Sequence, residues 1–235
     1  MQRSTADEYG TKILDLLYYM NVERGKIIAI VIASVVPQLN GVFQELAKKY
    51  FQLNSLFVGD NLKSSLPILY DHPKEVGADR IVNAIAVYAK MGGPAIVVDY
   101  GTATTFDCVT RKGEYAGGLI VPGPLLASES LSRHTAKLPR VELAKPKHLI
   151  GKSTVESIQS GLYYGYICLV DGLLTKLKAE LGKGAKIAAT GGLAQIMAVD
   201  SKWIRKENIL PELTLEGLMI LYEKNMFLAG GVTHG

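Results

Sequence analysis

The stretch from Gly77 to Gly123 constrains this chain most, above all from Ala95 onward. Ala95–Val98 is a short, wholly apolar run ending in Asp99, and a Gly-Thr turn follows at Gly101-Thr102. Thr105–Thr110 and Tyr115–Val121 then read as two further strands, joined by a tight turn at Lys112-Gly113. Strand, acid, Gly-Thr turn and strand is how a phosphate-handling hairpin is written. Backbone N–H groups of such a turn can cradle an anion, and glycine lets a phosphate approach the main chain. A hairpin whose threonines merely suit strands fits the same residues, and the stretch alone leaves both readings open. A parallel-strand terminus that carries Asp followed closely by Gly is, however, where ligands bind in layered α/β proteins.

Upstream, the spacing predicts a helix over residues 5–20, with Ser4 or Thr5 as N-cap and Asp7 and Glu8 in the first turn. Ile27–Val36 (IIAIVIASVV) is too apolar for a half-exposed strand and reads as one buried on both faces, stopped by Pro37. A helix over Leu39–Tyr50, a strand at Ser55–Gly59, a loop over 60–76 and a helix over Arg80–Lys90 follow. This alternation implies parallel β–α units. Gly92-Gly93-Pro94 is the clearest internal break, which sets expected domains at 1–93 and 94–235. Beyond the three strands the expectation is helix over 128–137 and 155–181, a strand at 186–189 and a turn at Thr190-Gly191-Gly192. Helices at 193–199 and 218–227 complete the series.

Composition narrows the function classes. With 235 residues, 48% hydrophobic and 20% charged, the chain can bury a sound core, and no apolar run reaches the length of a membrane span. Met1-Gln2-Arg3-Ser4 lacks the layout of a secretory signal, so a cytoplasmic protein with no membrane partner is expected. Cys108 and Cys168 stand alone in apolar segments and are expected to be buried reduced thiols. Four scattered histidines give no transition-metal spacing. Lysines gather near 137–152 and 174–187, interleaved with glutamates and apolar residues, and the net charge is only +4. That pattern reads as solvated surface with some attraction for anionic substrates, and no nucleic-acid partner is expected.

Two further motifs carry chemistry. Gly77-Ala78-Asp79-Arg80 sets a carboxylate beside a guanidinium at a helix start. The plain reading is an N-cap aspartate with a surface arginine; the functional one is a general base beside an anion clamp. Thr190-Gly191-Gly192 after a strand is a generic turn into a helix, and a weak nucleotide signal by itself. Together, GADR, DYGTATT, GGLIVPG, TAKLP, GKST and TGGLA resemble the motif set of type III pantothenate kinases, in order and spacing, from Thr5 to Asn225.

The resemblance implies two ribonuclease-H-like α/β domains of the acetate-and-sugar-kinase, Hsp70 and actin superfamily, with a cleft between them. It implies ATP-dependent phosphorylation of pantothenate, opening coenzyme A biosynthesis, by a homodimer requiring Mg²⁺ and a monovalent cation (K⁺ or NH₄⁺). Asp79 then matches the acceptor of the pantothenate hydroxyl proton. Tyr70, Gly77, Ala78, Arg80 and Thr154 match pantothenate contacts, Thr154 reaching the partner subunit's site. Asp99 matches the monovalent-cation ligand. Gly101, Thr102, Gly191 and Gly192 match ATP contacts, and the TAKLP segment, 135–139, matches the dimer interface.

One departure stands out. The family opens on a strand ending in an Asp-x-Gly-Asn-Thr loop that holds ATP phosphates and Mg²⁺, and this sequence has no such motif. The expectation is therefore a first domain that is N-terminally incomplete, its strand at Ile27–Val36 left with an open apolar edge. A misplaced start, a truncated or split gene, and a catalytically impaired pantothenate-binding or regulatory homologue all fit. The intact remaining motifs favour the first.

Overall fold

The computed structural model describes residues 4–135 and 137–230. In chain order the elements are α1 (Ala6–Tyr19), β1 (Ile30–Ile32), α2 (Asn40–Leu46), β2 (Ser55–Phe57), α3 (Ala78–Met91), β3 (Ala95–Tyr100), β4 (Ala103–Val109), β5 (Tyr115–Pro122), α4 (Pro124–His134), α5 (Thr154–Leu181), β6 (Lys186–Thr190), α6 (Ala194–Met197) and α7 (Leu213–Gly230). They form two compact units. One comprises residues 1–65, 74–82 and 218–235; the other comprises 66–73 and 83–217, so α3 and α7 each run from one into the other. None of the described helices is long and apolar enough to cross a membrane.

The first unit is built on α1. Thr5 caps it reciprocally: Glu8 N donates to Thr5 Oγ1 (3.3 Å), and Thr5 N donates to the Glu8 carboxylate (2.6 Å). Gly10 lies under the Tyr50 ring, where any Cβ would come within 2.4 Å of a ring carbon. Asp7 takes hydrogen bonds from Lys49 (2.6 Å) and Tyr50 (2.7 Å), tying α1 to the segment after α2. β1 and β2 pair in parallel in a two-stranded sheet, Ile30 opposite Ser55 and Ile32 opposite Phe57.

Here the structure corrects the expected long strand. Only Ile30–Ile32 of the Ile27–Val36 run is strand, and it is half-buried; Ile28 is 76% exposed and Val35 57%. A strand extends only as far as a neighbour satisfies its N–H and C=O groups. β2, the one strand partner of β1 among the described residues, is three residues long. After β1 the chain turns, Ser34 Oγ donating to Asn40 Oδ1 (2.6 Å) ahead of a 3₁₀ turn at Pro37–Leu39.

The second unit carries a four-stranded sheet in the order β5-β4-β3-β6. β3–β4 and β4–β5 are antiparallel hairpins and β3–β6 is parallel, with Ala95 opposite Lys186 and Asp99 opposite Thr190. The turn between β4 and β5 holds Gly113 at φ +80° under the Tyr88 ring, a conformation and a space that admit only glycine. Alternation along β3 sends Ile96, Val98 and Tyr100 to one face. There they join Phe106 and Cys108 of β4 in a core with Ile158, Leu162, Tyr166, Val170 and Leu174, spaced a helical turn apart on α5. Val97 and Asp99 point to the other face, where Asn83 of α3 meets Asp99.

Three smaller corrections follow. α4 starts at Pro124, not near residue 128, because Pro124 takes the first helical position with Gly123 extended before it. Cys108 is buried as expected, but Cys168 is exposed, since α5 is apolar on more than the face it buries. Ala136 of the TAKLP segment lies outside the described residues.

Candidate functional site

In the first unit, Gly77, Ala78, Asp79 and Arg80 form one compact corner at the start of α3. Arg80 N donates to Asp79 Oδ1 (2.8 Å), which turns the carboxylate back over the helix start. A side chain on Gly77 would lie 2.6 Å from that same oxygen and 3.5 Å from Val35, so glycine is what lets the acid fold back. Arg80 is 6% exposed, not the surface arginine of the plain reading. Burying a guanidinium is costly unless it is partnered, and Arg80 does have partners.

In the second unit, two predicted residues, Gly101 and Gly191, come together around Asp99. Its carboxylate projects from the carboxyl end of β3. An ideal Cβ on Gly191 would sit 2.4 Å from Asp99 Oδ1 and 2.7 Å from the Tyr100 main chain, and one on Gly101 would sit 3.7 Å from the same oxygen. Gly191 also has φ +91°, so position 191 requires glycine on both counts. The Asp99 hairpin and the Thr190-Gly191-Gly192 turn, ninety residues apart in sequence, thus abut backbone to backbone around one carboxylate. Leu193 N donates to Tyr100 O (3.4 Å) across the same junction. Thr102 is exposed at the tip of the hairpin. The turn is braced from behind by Gly123, whose N–H donates to Thr102 O (2.9 Å) and whose missing Cβ leaves room for the carbonyls of residues 101 and 102. Thr104, at the start of β4, is fully buried with a hydroxyl that meets no hydrogen-bond partner among the described residues. Gly192 has open space around its Cα, and a cavity of about 490 Å³ lined by Gln195, Val199, Lys206 and Ile209 lies on the segments that follow it.

Sequence reasoning missed Asn83. It is 1% exposed, donates through Nδ2 to Asp99 Oδ2 (2.9 Å) and accepts from Thr214 Oγ1 through Oδ1 (2.7 Å). Both ends of its amide are used, so it fixes the rotation of the Asp99 carboxylate. The available signal was its position one helical turn after Asp79, on the same face of α3.

The other two predicted residues stand apart from this cluster. Tyr70 is 36% exposed and tilts against Tyr115 (centroids 6.3 Å apart) at the start of β5, beside Gly117. The Gly101-Thr102 turn adjoins the other end of β5, where Ala103 pairs with Pro122. Thr154 is the first residue of α5. Ser153 caps that helix by accepting from Glu156 N (3.2 Å), and Glu156 in turn accepts from Lys152 N (2.7 Å). Thr154 is exposed and borders a groove of about 850 Å³ with Leu131, Leu138 and Ile158.

The donor set at Asp99, a carboxylate oxygen facing glycine main chain, offers hard oxygens to a cation, with no thiol or imidazole beside it. Among the described residues no group of three His, Cys, Asp or Glu could hold a metal by itself. A divalent ion held mainly by substrate phosphates, with one protein carboxylate, needs no such group.

Known proteins match the chain over most of its length. A family model described as type III pantothenate kinase matches residues 1–176. Curated type III pantothenate kinases are similar at high identity. That of Geobacter sulfurreducens is 50% identical over 94% of this chain and 86% of its own length. That of Myxococcus xanthus is 48% identical over 95% and 86%, and that of Koribacter versatilis 46% identical over 100% and 85%. A solved structure from Campylobacter jejuni, assigned to a Baf family of transcriptional activators, superposes with a TM-score of 0.56 at 19% identity, covering 90% of this chain and 88% of that one. That likeness concerns the fold alone. On the family match and on identity across nearly its full length, this chain belongs to the type III pantothenate kinase family.

Proposed function

We propose that this protein transfers the γ-phosphoryl group of ATP to the hydroxyl of pantothenate, forming 4'-phosphopantothenate, the first step of coenzyme A biosynthesis. The observation that carries the reading is 46–50% identity to curated type III pantothenate kinases over 94–100% of the chain. Transfer of a phosphoryl group asks little covalent chemistry of a protein; it asks for an oriented nucleophile and for placed charge.

Asp79 is the acceptor of the hydroxyl proton, with Gly77 and Ala78 shaping the space beside it and Arg80 supplying positive charge to the acceptor's oxygens. Tyr70 and Thr154 are further pantothenate contacts, Thr154 acting on the site of a partner subunit. Exposed Leu125, Leu126, Ile150 and Val155 around α4 and the start of α5 suit burial between two copies in a homodimer. Gly101 and Thr102 approach the ATP phosphates. Gly191 and Gly192 lie along the adenosine, whose base suits the cavity of Gln195, Val199 and Ile209. Asp99, held by Asn83, is the residue for the monovalent cation (K⁺ or NH₄⁺), which adds fixed positive charge beside the phosphates; Mg²⁺ is the ion that accompanies ATP. In fold terms the chain suits two ribonuclease-H-like domains of the actin-like ATPase superfamily, and a metabolic ATP-dependent reaction suits the cytoplasm.

The test is the product. Incubated with ATP, Mg²⁺, K⁺ and pantothenate, the protein converts pantothenate into a species heavier by one phosphoryl group in the mass spectrum. Pantothenate recovered unchanged, with phosphorylation of some other small alcohol instead, would sink the substrate assignment.

A further inference from the structure

A second concentration of chemistry lies within the second unit, at the opposite end of its sheet. Lys186 opens β6 and pairs with Ala95 at the start of β3, whereas Asp99 pairs with Thr190 at the far ends of the same strands. Four residue steps at roughly 3.3 Å put the two regions about 13 Å apart along the strands. Around Lys186 a groove of about 600 Å³ is lined by Lys90, Lys178, Lys202, Arg205 and Trp203. That size falls within the roughly 300–1,000 Å³ of small-molecule sites.

These cations differ from a solvated lysine fringe in two ways. Their heads are held. The Lys178 ammonium donates to Ala185 O and lies 5.1 Å from the centre of the Trp203 ring, and the Lys186 ammonium donates to Met91 O. The loop that carries Lys202 and Trp203 is pinned to α5. Buried Asp171 accepts from Ser201 Oγ (2.5 Å) and Lys202 N (2.9 Å), while Trp203 Nε1 donates to Thr175 Oγ1 (2.9 Å). The second difference is that most of the charge is unmatched. Lys90 has a close carboxylate, Glu216 at 2.7 Å, and Arg205 reaches Glu207 only at 3.9 Å with both side chains exposed. A carbonyl oxygen satisfies a donor but carries no net charge, so Lys178 and Lys186 have no charge partner among the described residues. Lys202's ammonium meets no carboxylate among the described residues. Like charges held this close repel unless an anion sits among them.

We propose that this groove is a second anion site that binds the diphosphate group of a small phosphorylated molecule, apart from the site of phosphoryl transfer. Fixed ammoniums suit the point charges of phosphate oxygens, and the partly exposed indole offers a surface against which an attached ring can lie. Free diphosphate and the diphosphate tail of a nucleotide share the recognised chemistry.

Trp203 is the only tryptophan of the chain, so its emission reports directly on this groove. In magnesium-free buffer at constant ionic strength, inorganic pyrophosphate changes that emission saturably, and sodium chloride does not. The Lys186→Gln, Lys202→Gln double variant, altered at two exposed positions and checked by circular dichroism, binds at least about tenfold more weakly. Asp99→Asn and Asp79→Asn keep the response, which separates it from occupancy of the nucleotide site and from the proposed kinase activity. Titrating ADP distinguishes the sources: tighter binding than pyrophosphate assigns a nucleotide, equal or weaker binding assigns free diphosphate. The proposal is overturned if the double variant responds like the wild type, if chloride reproduces the change, or if adenosine or a short RNA produces it and pyrophosphate does not.

Discussion

In one unit, Ile30–Ile32 pair with a single three-residue strand and remain half-buried; in the other, Ala95–Val98 lie between two longer strands with no exposed surface. The two runs are alike in composition, both dominated by β-branched and small apolar residues. Their difference lies in partners. β3 has a neighbour on each edge, β4 and β6, and α5 covers one of its faces; β1 has one neighbour among the described residues. Burial of a strand is therefore set by what flanks it, and composition states only what the strand can tolerate. The candidate chemistry follows the same division. Gly77–Arg80 opens a helix in the unit with the thin sheet, whereas Asp99 lies near the carboxyl end of β3 in the other, with Gly101 and Gly191 in the turns that follow β3 and β6.

The largest effect expected from this comparison is chemical. Asp79→Asn should lower kcat by about 10²–10⁴-fold, the usual contribution of a general base, with the melting temperature unchanged and pantothenate still bound in calorimetry. Comparable activity in the variant would remove Asp79 from the role of base.

Stability should separate the two strands next. Ile96→Ala should cost about 2–5 kcal/mol in denaturant unfolding, because a fully buried side chain leaves a cavity that its neighbours cannot close. Ile30→Ala, at a half-buried position, should cost about 1 kcal/mol. Hydrogen exchange should show the same order, with β3 amides protected far longer than those of β1. Equal costs and equal protection would break the comparison.

Asn83→Ala probes whether the deep strand serves the site as well as the fold. If Asn83 orients Asp99 for the cation, the K⁺ concentration for half-maximal rate should rise about tenfold, while kcat at saturating K⁺ changes less. A uniform loss of rate with the K⁺ requirement unmoved would leave Asn83 a purely structural link between α3, β3 and Thr214.

The smallest effect is at the surface of the second unit. Lys145 and Tyr163 donate to Asp200, at 2.6 and 3.0 Å. Those bonds, Lys145's first, hold the Asp200 carboxyl below its ordinary range, while the same partner raises the Lys145 ammonium above its own. Burial and Asp200 together push the Tyr163 hydroxyl up to about 12. A depressed carboxylate contributes stability above its unfolded pKa, near 3.8, and loses it as pH falls through the folded value. A raised ammonium contributes below 10.5 and loses it as pH rises through its folded value. Asp200→Asn should thus lower the melting temperature slightly between about pH 4 and 10, the deficit shrinking as pH falls through the folded value of the Asp200 carboxyl. A penalty that persisted in acid would point to lost contacts and not to charge.

Much of this was legible from local chemistry. Thr5 with Glu8 announced α1, and the tight turns announced the β3–β4–β5 hairpins. Gly191 and Asp99 were legible as separate motifs, but their contact was not, since it depends on β6 lying parallel to β3. Asn83 was silent for the same reason: an asparagine on an amphipathic helix acquires meaning only when a strand ninety-nine-numbered residue faces it, here the carboxylate of Asp99. The length of β1 and the exposure of Cys168 were misjudged because both turn on which neighbour is present, which a local pattern does not encode.

Pantothenate, on this reading, is the acceptor of a phosphoryl group from ATP. The most direct measurement is ADP release by this chain with Mg²⁺ and K⁺, with and without pantothenate. ADP release should depend on pantothenate, saturate with it and fall when Na⁺ replaces K⁺. ADP release indifferent to pantothenate, or none while both ligands bind, would contradict this reading.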